Sequence, residues 1–143
     1  MTLAGKNPSS GPKSELSWPF TRFFPEFVTP GTIRPVADIV ARLVADPPAV
    51  HDMGGGRLSG LATEAACYEL IAARVGPGDR TLETGLGLST ALFGALGADH
   101  TCVTPSAEEI ERLVAYCGAR GIPLETVRFV VGISAEVLPG LPA

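Results

Sequence analysis

Val36, Ile39, Val40, Leu43 and Val44 recur at the spacing of one helical face and predict a helix over about Arg34 to Ala45. Pro35 suits its first turn, Pro47-Pro48 stops it, and Asp38 and Arg42 make a surface pair four residues apart. A second stripe, Leu61, Ala65, Tyr68, Ile71 and Val75, predicts a helix over about Gly60 to Arg74, with Ser59 as its cap. Between the two, Gly54-Gly55-Gly56 reads as a hinge, a close-approach loop or a flexible connection. After the turn at Gly76-Pro77-Gly78-Asp79 the pattern changes to short strands alternating with helices. Strands are expected at 81–84, 100–104 and 127–131, with helices over Ser89 to Leu96, from Ser106 to about Ala119, and from Ser134 through Leu138. Ser106-Ala-Glu-Glu109 has the form of a capping box. The helix after it sets Ile110, Leu113, Val114 and Cys117 opposite Glu108, Glu111 and Arg112, and ends at Gly118 or Gly121. This alternation implies right-handed crossovers and a parallel sheet with its strands in sequence order.

Residues 1–17 carry Gly, Pro, Ser, Asn and Lys with little to bury and are expected to be mobile. Residues 18–27 concentrate the only tryptophan, Trp18, with Phe20, Phe23, Phe24 and Phe27, a cluster that asks either for a place over the core or for a subunit contact. At 143 residues the chain suits one domain with a real core. A net charge of -4 with scattered basic residues leaves no footprint for nucleic acid or an anionic membrane. No apolar run approaches the ~20 residues that span a bilayer, and the start lacks the apolar core of a signal peptide. A cytoplasmic location with reduced thiols at Cys67, Cys102 and Cys117 is therefore expected.

The chemistry concentrates at residues 80–96, a strand, a glycine turn and a helix start, where backbone N–H groups can receive a polar or anionic ligand. Gly85 and Gly87 stand where side chains would obstruct a tight turn or a close ligand. Thr90 occupies the place of the third glycine of the dinucleotide fingerprint, and the Lys-Ser/Thr pair of a triphosphate-binding loop is absent. Glu83 is read either as a ligand contact or as a carboxylate tied to its own turn. The lone histidines, His51 and His100, join no metal-ligand spacing, so neither a metal site nor a catalytic residue is assigned.

Leu82-Glu-Thr-Gly-Leu-Gly-Leu-Ser-Thr90, the helix before it, and Gly132-Ile-Ser-Ala-Glu-Val-Leu-Pro139 together resemble class I S-adenosylmethionine-dependent methyltransferases of the small-molecule O-methyltransferase kind. The resemblance covers residues 58–139 and implies a partial doubly wound parallel α/β sheet, a Rossmann-like half-domain with an α-helical N-terminal extension. It implies that Glu83, Gly85, Gly87 and Ser89 surround the amino-acid part of the cofactor S-adenosylmethionine. Thr104 then falls where relatives carry a ribose-binding acid, and Ile133 and Ser134 fall near the adenine. Relatives continue through further strands that carry acceptor-side residues, so the resemblance also implies a truncated domain, a degenerate one, or one that completes its sheet with a second copy as a homodimer. The expected function is S-adenosylmethionine binding, with a small-molecule acceptor if the protein is active. The alternative is a non-catalytic assembly or regulatory subunit.

Overall fold

The computed structural model describes residues 36–60 and 63–141. The expectations for residues 1–17 and for the aromatic stretch 18–27 lie outside this range. Helix α1 covers Val36–Ala45, and its Asp38 and Arg42 side chains pair at 3.2 Å in solvent. It ends before Pro47-Pro48, and Pro48 is itself fully buried.

The next segment departs from the sequence reading. Instead of a hinge leading into a Ser59-capped helix, β1 (His51–Asp52) and β2 (Leu58–Ser59) form an antiparallel hairpin, with His51 opposite Ser59. Gly54, Gly55 and Gly56 take φ values of 85°, 65° and 76°, the left-handed region open to glycine. That run turns the chain back on itself, and the Asp52 carboxylate accepts the Gly54 N–H at 2.7 Å. Helix α2 consequently starts later, at Ala65–Arg74, behind an N-cap Glu64 that makes no side-chain cap bond. Of its expected stripe, Tyr68 is buried, Ile71 and Val75 pack against the core, and Ala65 is exposed.

Strands β3 (Arg80–Thr84), β4 (Asp99–Thr104) and β5 (Val127–Val131) form a parallel sheet in the order β3-β4-β5, the order read from the alternation. In register, Glu83 lies beside Cys102 and Cys102 beside Phe129. Helices α3 (Leu88–Leu96) and α4 (Ala107–Arg120) make the crossovers, followed by α5 (Ser134–Val137) and a 3-10 turn at Leu138–Gly140. Gly97 and Gly121, both left-handed, close α3 and α4, so Gly121 rather than Gly118 ends the latter.

α3 packs on β4 and β5 and also against α1 and α2. The core joins Val40, Leu43, Tyr68, Leu88, Leu92, Cys102, Leu113 and Cys117. β4 is the central strand, with His100, Cys102 and Thr104 inaccessible. The outer strands are only half covered: Leu82 is 53% exposed and Val131 46%. Burial raises the Cys117 thiol to about 12, and burial followed by the nearby Glu83 charge drives Cys102 higher still, so neither is a ready thiolate.

α4 also grips the segment between α1 and the hairpin. Arg112 donates to the Val50 carbonyl at 2.7 Å, Tyr116 to the Asp46 carbonyl at 2.6 Å, and the Arg120 guanidinium to the Asp46 carboxylate while stacking over the Tyr116 ring. Arg112 was expected on the solvent face; its reach to Val50 draws it half inside. Among the described residues no helix is long and apolar enough to cross a membrane.

Candidate functional site

The carboxyl ends of the three strands carry the polar groups. After β3 the chain turns at Gly85, whose φ of 81° is left-handed and whose N–H donates to the Val103 carbonyl at 2.8 Å. A Cβ on Gly85 would meet nothing within 4 Å, so the backbone conformation, not crowding, requires glycine there. Gly87 has an extended φ of 172°, and a Cβ would come no closer than 3.9 Å to the Gly60 carbonyl, so the protein itself imposes no such demand at that position. Its open space faces a recess of about 230 Å³ lined by Glu83, Gly85, Gly87, Ser89, His51 and Tyr68.

Glu83 is tied to the first turn of α3 by both oxygens. Ser89 Oγ donates to Oε2 at 2.7 Å, and Thr90 Oγ1 donates to Oε1 while accepting the Gly87 N–H at 3.0 Å. Thr90 is thus a helix-start hydroxyl, completely buried. Behind it, His100 stacks on Phe93 with ring centroids 4.2 Å apart, and its Nδ1 lies 2.8 Å from Thr81 Oγ1. His100 Nε2 lies 3.1 Å from Glu83 Oε1, off the line a hydrogen bond needs, and is the buried side-chain polar atom left without one among the described residues. Glu83 is 15% exposed, so its carboxylate still reaches the recess beside the α3 N-terminus.

The strand β4 end is built differently from the capping-box expectation. Ser106 Oγ accepts the Glu109 N–H at 3.2 Å, as a cap should, and donates to Glu108 at 3.0 Å. The Glu108 backbone N–H, then this Ser106 bond, hold the Glu108 carboxyl below the usual range. The Glu109 carboxylate does not return to the Ser106 N–H, which turns to Thr104 Oγ1 at 3.4 Å. Glu109 reaches instead to His51 Nδ1 at 2.9 Å and accepts from Thr104 Oγ1 at 3.4 Å. Thr104 is completely buried, with its hydroxyl directed to that carboxylate.

Gly132 N–H donates to the Thr104 carbonyl at 2.9 Å, which sets the turn after β5 beside the end of β4. Ile133, 57% exposed, and Ser134, at the start of α5, follow there, at the same end of the sheet but outside the recess. The seven sequence-predicted residues therefore fall into three places: Glu83, Gly85, Gly87 and Ser89 line the recess, Thr104 lies under Glu109, and Ile133 and Ser134 flank them. Missed from sequence were His51, Gly60 and Tyr68 as lining groups and Glu109 as the partner of His51. A larger depression of about 460 Å³ between α1 and α2 is walled by Val40, Val44, Ala65 and Ala72, with Glu69 as the one ionisable group in its lining. No cluster among the described residues could hold a metal ion.

No family model and no curated protein matches the chain. A solved structure similar to it is the C-terminal domain of precorrin-6Y C5,15-methyltransferase from Rhodobacter capsulatus, at 21% identity and a TM-score of 0.43, over 59% of this chain and 47% of that one. The chain thus spans about half the length of that domain.

Proposed function

We propose that this protein binds S-adenosylmethionine across the carboxyl end of its sheet and is a methyltransferase-like protein acting on a small molecule. The observation that carries the reading is the convergence of Glu83, Gly85, Gly87 and Ser89 on one recess at the start of α3. An amino-acid zwitterion fits such a place from both ends. Its ammonium meets the Glu83 carboxylate, and its carboxylate meets the positive end of the α3 dipole and the N–H groups there. The sulfonium donor then carries the methyl group, and the chain supplies position and charge. Ile133 offers an apolar wall and Ser134 a polar edge for the ring end of the same ligand, beyond Glu109.

Calorimetry with S-adenosylmethionine, S-adenosylhomocysteine and NAD tests this. Saturable binding of the first two alone is expected, and Gly85→Val should abolish it while the helical circular dichroism persists, because valine is strained in the left-handed region and fills the approach. Binding of none of the three would leave the non-catalytic assembly subunit as the better reading, and binding of NAD alone would reject the methyl donor.

A homodimer belongs to the same proposal. Strand β3 has a strand partner on one side only among the described residues, and Leu82 is exposed on it. A second copy pairing along that edge would cover it. Light scattering across a tenfold dilution should show twice the chain mass; a sharp monomer at every concentration rejects the pairing.

A further inference from the structure

His100 is the second residue of β4 and fully buried, with Thr81 of β3 as its register partner and Glu83 two residues further along the same face of the sheet. Both ring nitrogens therefore address one strand. Nδ1 lies 2.8 Å from Thr81 Oγ1, and Nε2 lies 3.1 Å from Glu83 Oε1. A neutral imidazole carries a single N–H. Placed on Nδ1, that proton would leave the Nε2 lone pair against a carboxylate oxygen, two acceptors facing each other in the interior. Placed on Nε2, it faces the carboxylate, and the Thr81 hydroxyl donates to Nδ1. The surroundings therefore select the Nε2–H form.

A ring kept for packing alone would not need these nitrogens. The stack on Phe93, with centroids 4.2 Å apart, is one that a phenylalanine could make, whereas a buried polar atom off the line of a hydrogen bond costs stability. What Nε2 faces is the carboxylate that lines the recess. Thr90 donates to Glu83 Oε1, and Ser89, itself in the recess lining, donates to Oε2. Oε2 is thus the oxygen on the ligand side and Oε1 the oxygen on the His100 side.

We propose that His100 is a positioning residue for Glu83, its Nε2–H backing Oε1 so that the carboxylate presents Oε2 to the ammonium group of an amino-acid ligand. The inference rests on the methyl-donor reading above and deepens it. Thr81 acts one step further back, by fixing which nitrogen of the ring carries the proton. Without the Nε2–H, nothing on the β4 side opposes a turn of the carboxylate away from the recess.

Nitrogen-15 NMR of the full chain, which has two histidines, reads the protonated nitrogen directly, with His51→Gln to assign the signals. His100 should carry a proton on Nε2. That N–H should move upfield in Glu83→Gln, where the charge it faces is gone, and on saturation with S-adenosylhomocysteine, whose ammonium draws on the same charge. His100→Phe keeps the stack and removes the donor, and should weaken S-adenosylhomocysteine binding about tenfold by calorimetry. His100→Gln, whose amide N–H reaches the Nε2 position, should stay within about threefold of wild type. Thr81→Val should weaken binding in the same direction as His100→Phe, which keeps a variant in hand if the phenylalanine does not fold. A bare Nε2, an N–H that does not move upfield, or equal affinities in the phenylalanine and glutamine variants would each overturn the positioning role while S-adenosylhomocysteine still binds. A wild type that binds no S-adenosylhomocysteine overturns the methyl-donor reading and this role with it.

Discussion

Gly94→Ala will destabilise the protein, although glycine to alanine inside a helix ordinarily stabilises one by about 1 kcal/mol. Gly94 lies on the buried side of α3, where a Cβ would stand 2.4 Å from the Pro123 carbonyl oxygen and 3.0 Å from Leu124 Cδ2. The first of these is backbone, in the connection that leads into β5, and it cannot rotate away. Either α3 or that connection must shift, at a cost of about 1–3 kcal/mol as for other overpacked interiors. Gly118→Ala in α4 is the control, since its Cβ would meet nothing within 4 Å. Thermal unfolding should move down for the first variant and up for the second. Equal rises would show that α3 does not approach the β5 connection this closely.

Glu83→Ala is expected to have the other large effect, on both stability and binding. It strips Ser89 and the fully buried Thr90 of their acceptor and leaves His100 Nε2 facing a void. A buried donor left unsatisfied costs about 1–3 kcal/mol. Glu83→Gln keeps the shape and one carbonyl acceptor, so it should recover much of the stability. It loses the charge that would meet an ammonium group, so it should not recover affinity for S-adenosylhomocysteine. Denaturation and calorimetry on the two variants separate these roles, and undiminished affinity in Glu83→Gln would make Glu83 a purely structural carboxylate.

The contrast between these two residues reflects what a sequence makes visible. Glu83 to Ser89 is contiguous, so its strand, turn and helix start could be read locally, as could β5 and the Ser106 cap, while the stop of α4 was narrowed only to Gly118 or Gly121. Gly94 announces nothing, because its role depends on Pro123 and Leu124, which arrive in space only after α4 has made its crossover. The hairpin was illegible for a related reason: strands two residues long have no room for alternation, and three glycines without dihedrals look like slack chain. Glu109 was assigned to capping because Ser106 and its spacing explained it fully. Only the hairpin, by bringing His51 to α4, shows that its carboxylate has another partner. Ile133 and Ser134 follow β5 at the carboxyl end of the sheet, but their distance from the recess depends on how the β5 turn leaves, which no motif encodes.

The three left-handed glycines at the hairpin tip have open space where their side chains would be. Such a tip is a natural site for insertions, since added residues disturb neither the sheet nor the core. The two arms of the hairpin lead down to His51 and Gly60 at the rim of the recess. Lengthening the tip would extend a canopy toward whatever enters, so the molecules admitted could diversify by growth of one loop while the residues beneath stay the same. Libraries that vary length and composition between Met53 and Arg57 are accordingly the most direct route to altering what reaches the recess.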